Sequence, residues 1–230
     1  MNQIIVHTSQ PITLVGGGNV SEADLKTALD IAPVCVAADG GAAPVLAAGQ
    51  MPEAVIGDFD SLSDEVGAQV PADRLHHVAE QDSTDFAKCL MRLRTPLVVG
   101  VGFLGKRLDH QLAALNTLVT FAEQACVLIG AEELVFHVPP QIRLDTTAGD
   151  VVSLFPLAEV SGRSAGLTWP IDGIGFAPGG RVGTSNRAEG PVDLTMDGPG
   201  MLAMVPRRLI RQVCQALATE SCGRWPARAG

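Results

Sequence analysis

The sequence predicts an α/β domain built on a mostly parallel sheet with helices on both faces, followed by a C-terminal antiparallel β-sandwich or barrel. Three observations predict it. From residue 12 to residue 130, short apolar runs alternate with amphipathic stretches, the pattern of strand–helix–strand units. From Ala131 the helical periodicity gives way to short apolar pieces split by Gly, Pro and Asp, the spacing of a small all-β domain. Most glycine- and acid-rich turns of the first half follow a strand, at the edge where open α/β sheets bind ligands. These features place residues 1–130 in the α/β domain, 131–206 in the β domain, and 207–230 in a short helix and tail.

Composition narrows the possibilities. At 47% hydrophobic and 18% charged, the 230-residue chain can bury a sizeable core. Aromatics make up 4% and Tyr is absent, so Ala, Val, Leu and Gly must fill the interior. The net charge of −9 argues against a nucleic-acid backbone or an anionic membrane as partner. The five cysteines form no CxxC, and Cys35, Cys89 and Cys126 sit in apolar runs as small hydrophobes. That suits a reducing compartment. MNQIIVHTSQP lacks the basic start and apolar core of a signal peptide, and no apolar run approaches the ~18 residues of a membrane span. The expectation is a cytoplasmic protein.

Ile12 to Val15 reads as a strand entering Gly16-Gly17-Gly18-Asn19, and a helix follows with Ser21 as cap and Asp24 three residues on. The glycine run is neither GxGxxG nor a Walker A sequence, so it reads as a tight turn rather than a ligand contact. Val34 to Ala37 is a buried strand, left through Asp39-Gly40-Gly41 into a helix over Ala42 to Ala48 that Gly49 stops. Ala54 to Ile56 is the next strand, followed by Gly57-Asp58-Phe59-Asp60-Ser61. In an extended segment Asp58 and Asp60 share a side while Phe59 faces the core. Two such carboxylates ~4 Å apart repel by on the order of 4 kcal/mol at an effective dielectric of about 20. A hard cation with oxygen ligands relieves this, and Mg²⁺ is the obvious candidate. The alternative is a solvated acidic turn.

Ser63 to Val70 reads as a short helix and Arg74 to Ala79 as a strand whose His76 and His77 are structural. Gln81-Asp82-Ser83-Thr84-Asp85 opens a helix to about Arg94, capped by Asp82 or Ser83. Asp85 and Lys88 share one helix face. They are either a first-turn acid with an exposed lysine or a metal or phosphate contact beside Asp58 and Asp60. Leu97 to Val101 is a central strand, and the junction Gly102 to His110 leads into a helix to about Glu123. Lys106 and Arg107 could hold phosphate oxygens, and Asp109 and His110 could cap the helix. Cys126 to Ile129 closes the first run of strands.

Beyond it, LVFHV, IRL, VVSLFPL, GLTWPI, GIGF, VDLTM and MLAMV are the strand candidates of the β domain. Gly183-Thr184-Ser185-Asn186 reads as a hairpin turn, and Trp169 is a core residue or a flat face for a cation. Leu209, Ile210, Val213, Cys214 and Leu217 fit one helix face. Ser221 to Gly230, with Arg224, Trp225 and Arg228, reads as loose.

Four motifs in order resemble the thiamine pyrophosphokinase family: ADGGA at 38–42, GQMPEAVIGDFDSL at 49–62, QDSTDFAKCL at 81–90 and GFLGKRLDHQLAAL at 102–115. VVSLFPL, GLTWPI and GTSN resemble its β domain. The resemblance implies a homodimer that moves diphosphate from ATP to the hydroxyl of thiamine, with the thiamine pocket shared between subunits. It implies Asp58, Asp60 and Asp85 as Mg²⁺ ligands and, with Asp39 and Asp109, as catalytic residues. It assigns ATP phosphates to Gly40, Gly41, Ser61, Thr84, Lys88 and Arg107, and thiamine to Trp169, Ser185 and Asn186. Asp109 and Asp39 are the candidate proton acceptors. Three rivals stand beside it. A haloacid-dehalogenase-like phosphatase would use Asp58 as nucleophile, but Leu62 stands where that motif wants Thr or Val. A diphosphokinase acting on another alcohol, such as a pterin, lacks a use for GTSN. A non-catalytic binding module has no need of so many acids.

Overall fold

The computed structural model describes residues 3–227 and divides into two compact units, 1–117 and 118–230. The division falls between Thr117 and Leu118, earlier than the boundary expected near 131.

The first unit opens with β1 (Val6–His7), then β2 (Ile12–Val15), α1 (Glu22–Ile31), β3 (Val34–Ala38), α2 (Ala42–Ala47), β4 (Ala54–Gly57) and α3 (Asp64–Gly67). After these come β5 (Leu75–His77), α4 (Asp85–Leu90), β6 (Leu93–Arg94), β7 (Val98–Val101) and α5 (Leu108–Thr120), which runs across the division. Among the described residues its strand-to-strand ladders are parallel: β3 with β4, β4 with β5, β2 with β7, and β1 with β6. The Ile12–Pro33 bridge and a 2.6 Å bond from Thr13 Oγ1 to the Ala32 carbonyl bring β2 alongside β3. All residues of β2, β4 and β7 are buried, as expected of strands rich in β-branched residues and covered on both sides. Ser21 caps α1 by accepting from Asp24 N–H at 3.0 Å, as its sequence predicts. Gly49, at φ +70°, follows α2 in the left-handed conformation that ends helices.

Several elements are shorter than expected. α4 is capped by Thr84, whose Oγ1 accepts from Ala87 N–H at 3.3 Å, not by Asp82 or Ser83. It stops at Leu90, and Leu93–Arg94 becomes strand because those residues pair with β1.

The second unit comprises β8 (Cys126–Ile129), β9 (Glu133–His137), β10 (Gln141–Leu144), β11 (Val151–Pro156), β12 (Gly162–Leu167), β13 (Gly183–Met196), β14 (Met201–Pro206) and α6 (Ile210–Ala218). Here the pairings are antiparallel, in the order β10-β13-β11-β14-β9-β8, with β12 also on β13. Cys126–Ile129, expected to close the first domain, pairs antiparallel with β9. β13 changes partners along its length, from β11 at Gly183–Arg187 to β10 at Val192–Thr195. GTSN is thus the start of a long strand, not a hairpin turn. GIGF contributes one bridge, Val160–Phe176, rather than a strand. α6 buries Val213, Cys214 and Leu217. The segment expected to be loose is tied as far as Trp225, whose indole N–H donates to the Val138 carbonyl at 2.9 Å. Residues 228–230 lie outside the described residues. No described helix is long and apolar enough to cross a membrane.

Candidate active site

Asp39, Asp58 and Asp60 sit on turns leaving the neighbouring strands β3 and β4. β3 ends directly in a 3₁₀ turn, Asp39–Gly41, and Asp39 takes a left-handed φ of +45°. It is only 1% exposed. Its Oδ2 accepts from Ser61 N–H at 3.3 Å, and its Oδ1 is buried without a hydrogen bond. Burial lifts its carboxyl to about 7, against the Ser61 bond, and the negative charge of Asp85 adds to the lift.

Asp58 and Asp60 follow β4. They converge with Asp39, one carboxylate oxygen from each lying within 4.8 Å of the others. The route differs from the extended one expected. Phe59 has φ +65°, so a left-handed turn rather than strand alternation brings the two acids round. The Phe59 ring is half-buried rather than in the core and rests on His77, with centroids 5.4 Å apart.

Asp85 lies outside that trio. Its Oδ1 is bound by Lys88 Nζ at 3.2 Å, and the same ammonium holds Asp58 Oδ2 at 2.7 Å. The lysine is 2% exposed, not the exposed residue that one helix-face reading implies. Burial pushes its ammonium down, but the bonds to Asp58 and Asp85 outweigh that, and the net shift is upward. The same bond holds the Asp58 carboxyl below the usual range. At Asp85 burial dominates and raises it. Lys88 thereby joins α4 to the turn after β4.

These turns border a cavity of about 530 Å³ within the first unit. Of the residues singled out from the sequence, Asp39, Gly40, Asp58, Ser61, Thr84, Asp85, Lys88, Lys106, Arg107 and His110 line it. Asp60, Gly41 and Asp109 are not among the lining residues. Asp109 is engaged in an exposed fork with Arg107, whose Nε donates to Oδ1 at 3.1 Å while Nη2 donates to Oδ2. That pairing lowers the Asp109 carboxyl, which weakens it as a base. Gly16, Gly17 and Gly18, read as a turn without ligand contact, do line the cavity, as do Phe103 and Leu104. Position after a strand was the one sequence signal for the glycines; for Phe103 and Leu104 there was none beyond their place in the motif.

In the second unit, Asn186 is buried and committed to the backbone. Its Oδ1 accepts from the Trp169 and Arg187 N–H groups at 3.2 and 2.8 Å, and its Nδ2 donates to the Trp169 carbonyl at 2.6 Å. Trp169 itself is 58% exposed, which rules out the core role. Ser185 has φ +61°, and its N–H donates to Ser153 Oγ at 3.0 Å.

The sequence model described as "Thiamin pyrophosphokinase, catalytic domain" matches residues 25–129, the stretch that carries every one of these acids. Over those residues the chain is similar to the thiamin pyrophosphokinase family. The chain is 29% identical over 161 residues to Thiamine pyrophosphokinase 1 of Oryza sativa subsp. japonica, a match covering 60% of each chain. It thus spans less than two thirds of that relative. Among solved structures, thiamin pyrophosphokinase from Candida albicans matches with a TM-score of 0.73 and 15% identity, over 86% of this chain and 89% of that one. Thiamine pyrophosphokinase from Bacillus subtilis matches with a TM-score of 0.69 and 22% identity, over 86% and 98%. At such identities these two likenesses establish the mixed α/β fold with its antiparallel C-terminal strands. Trp169, Ser185 and Asn186 lie beyond the segment that the family model matches.

Proposed function

We propose that the chain is a thiamine diphosphokinase, transferring diphosphate from ATP to the hydroxyl of thiamine to give thiamine diphosphate and AMP. The observation that carries this reading is the convergence of Asp39, Asp58 and Asp60 beside a nucleotide-sized cavity, inside the segment that the family model matches. A cation fits this trio. All three donors are carboxylate oxygens, and the orphaned Oδ1 of buried Asp39 has unused acceptor capacity. Asp39, Asp58 and Asp60 would hold Mg²⁺, with Asp85 beside them on Lys88. Bound there, the ion supplies charge neutralisation for the polyphosphate and polarisation of its phosphorus centres.

The chain's own groups do the rest. Lys88 fixes the spacing of Asp58 and Asp85. Gly40, Ser61, Thr84 and Arg107 border the cavity, where they can position phosphate oxygens. Gly41 supports the turn rather than touching the ligand. Holding the ion, Asp39 would not be free to accept the hydroxyl proton, and the Arg107 pairing weakens Asp109 for that role. We place thiamine's cationic ring on the exposed face of Trp169, with Ser185 and Asn186 shaping that pocket in a β-sandwich. A homodimer sharing this pocket between subunits and a cytoplasmic location complete the proposal.

Incubation with ATP, Mg²⁺ and thiamine tests it. AMP and thiamine diphosphate should form in equal amounts, and Asp58→Asn or Asp60→Asn should slow turnover on the order of 100-fold in a folded protein. Release of ADP, or AMP release that does not depend on thiamine, would overturn the assignment.

A further inference from the structure

Glu80 stands one residue before the QDSTDFAKCL motif and is not among the residues lining the cavity of the first unit. The loop it opens hangs between two fixed points. Behind it, Val78 N–H donates to the Gly57 carbonyl at 2.7 Å, which ties the end of β5 to the start of the Asp58 turn. Ahead of it, Thr84 caps α4. Between these points Glu80 is a brace. Its Oε2 accepts from the Asp82 and Ser83 N–H groups at 2.9 and 3.1 Å, and its Oε1 accepts from the Ser83 hydroxyl. The Ser83 hydroxyl bond, ahead of the backbone bonds, holds this half-buried carboxyl below the usual carboxylate range. It is therefore ionised near neutral pH and makes charge-assisted bonds. One side chain thus folds residues 81–83 into a turn.

That turn aims Gln81 at the acid cluster. Its Nε2 donates to Asp58 Oδ2 at 3.1 Å, the oxygen that already takes Lys88 Nζ at 2.7 Å. A carboxylate oxygen has two lone pairs, so these donors fill Oδ2. Oδ1 takes only a long 3.4 Å bond from Asp60 N–H, which leaves it as the Asp58 oxygen with capacity for a cation. Lys88 alone would hold the carboxylate at one point, about which it can swing. A second donor, arriving from the loop rather than from α4, limits that swing. We propose that Glu80 is a positioning residue for the cation site: by bracing the 81–83 turn it keeps Gln81 on Asp58 and so fixes which oxygen Asp58 offers. The inference rests on the cation reading of Asp39, Asp58 and Asp60. It adds to that reading a residue that touches neither the ion nor a substrate.

The test measures Mn²⁺ binding to the full chain by electron paramagnetic resonance, alongside turnover with ATP, Mg²⁺ and thiamine. Glu80→Ala should weaken Mn²⁺ binding about tenfold and slow turnover by about as much, the loss usual for a group that orients a metal ligand. KM for thiamine should stay within about twofold, since no thiamine contact is touched. Glu80→Gln keeps an acceptor oxygen for the two N–H groups and an amide that can bond the Ser83 hydroxyl, so it should stay within about threefold of the unaltered protein. Gln81→Ala should match Glu80→Ala in Mn²⁺ binding. The double variant should be no worse than either, because both act through one bond to Asp58. Losses that multiply in the double variant would show that Glu80 only steadies the fold. Unchanged Mn²⁺ binding in Glu80→Ala, or a Glu80→Gln variant as weak as Glu80→Ala, would likewise overturn the brace. Where the unaltered protein binds Mn²⁺, each of these results sinks only this inference. If the unaltered protein binds none, the cation reading falls, and the role of Glu80 with it.

Discussion

Asp39 concentrates the chemistry of the site in one residue. It occupies left-handed backbone space, which costs a non-glycine residue on the order of 1 kcal/mol, and it is buried with one oxygen unpartnered. Its carboxyl sits at about 7, against an ordinary 3.8. The folded state therefore holds a proton that the unfolded chain releases between about pH 4 and pH 7. Through that window Asp39 makes folding less favourable as pH rises, and the cost stays constant above it. Asn tolerates the same backbone and cannot ionise. In metal-free urea denaturation, Asp39→Asn should match the unaltered protein near pH 4. It should exceed it by about 1–2 kcal/mol at pH 8, a figure discounted for solvent screening. A variant less stable at pH 8 than at pH 4, relative to the unaltered protein, would contradict this account. The acids themselves were legible in the sequence because their types and strand-end positions were. The left-handed turn at Phe59 was not, since Phe carries no signal for φ +65° and acids two apart read most simply as extended.

At the scale of elements, the parallel strands could be read from their apolar runs and α2 from the Gly49 that ends it, whereas the early end of α4 could not. α4 has six residues, and its six-residue pattern continues smoothly into Leu93–Arg94, where pairing with β1 overrides helical propensity. GTSN failed for a related reason. Polar turn residues in β13 are tolerated where the register with β11 shifts, and local composition does not reveal that. The turn carrying Asp39 makes a sharper demand. A Cβ at Gly41 would lie 1.9 Å from the Val15 carbonyl oxygen, while one at Gly49 meets nothing within 4 Å. Gly41→Ala should therefore cost about 3 kcal/mol or more, through a clash of rigid backbone. Gly49→Ala should cost about 1 kcal/mol, from its left-handed φ alone. Thermal or urea unfolding of both variants checks this, and an equal or larger loss at Gly49 would refute the packing described at the turn.

For the molecule as a whole, the two-part character of the chain was visible in the change of texture near Ala131. The division nonetheless comes earlier, because Cys126–Ile129 pairs antiparallel with β9 and an apolar run does not disclose the direction of its partner. What sequence order alone could not supply is convergence: residues 39, 58 and 60 lie on turns after two strands, and only parallel pairing of β3 with β4 sets those turns side by side. That gathering of carboxylates into one oxygen-donor cluster underlies the whole functional reading. It is tested most directly by titrating the protein with Mn²⁺, a spectroscopic stand-in for Mg²⁺, and following free ion by electron paramagnetic resonance. One ion should bind per chain, Mg²⁺ should displace it, and Asp58→Asn or Asp60→Asn should weaken binding at least about tenfold. Binding that persists unchanged in both variants would show that the cation is held elsewhere.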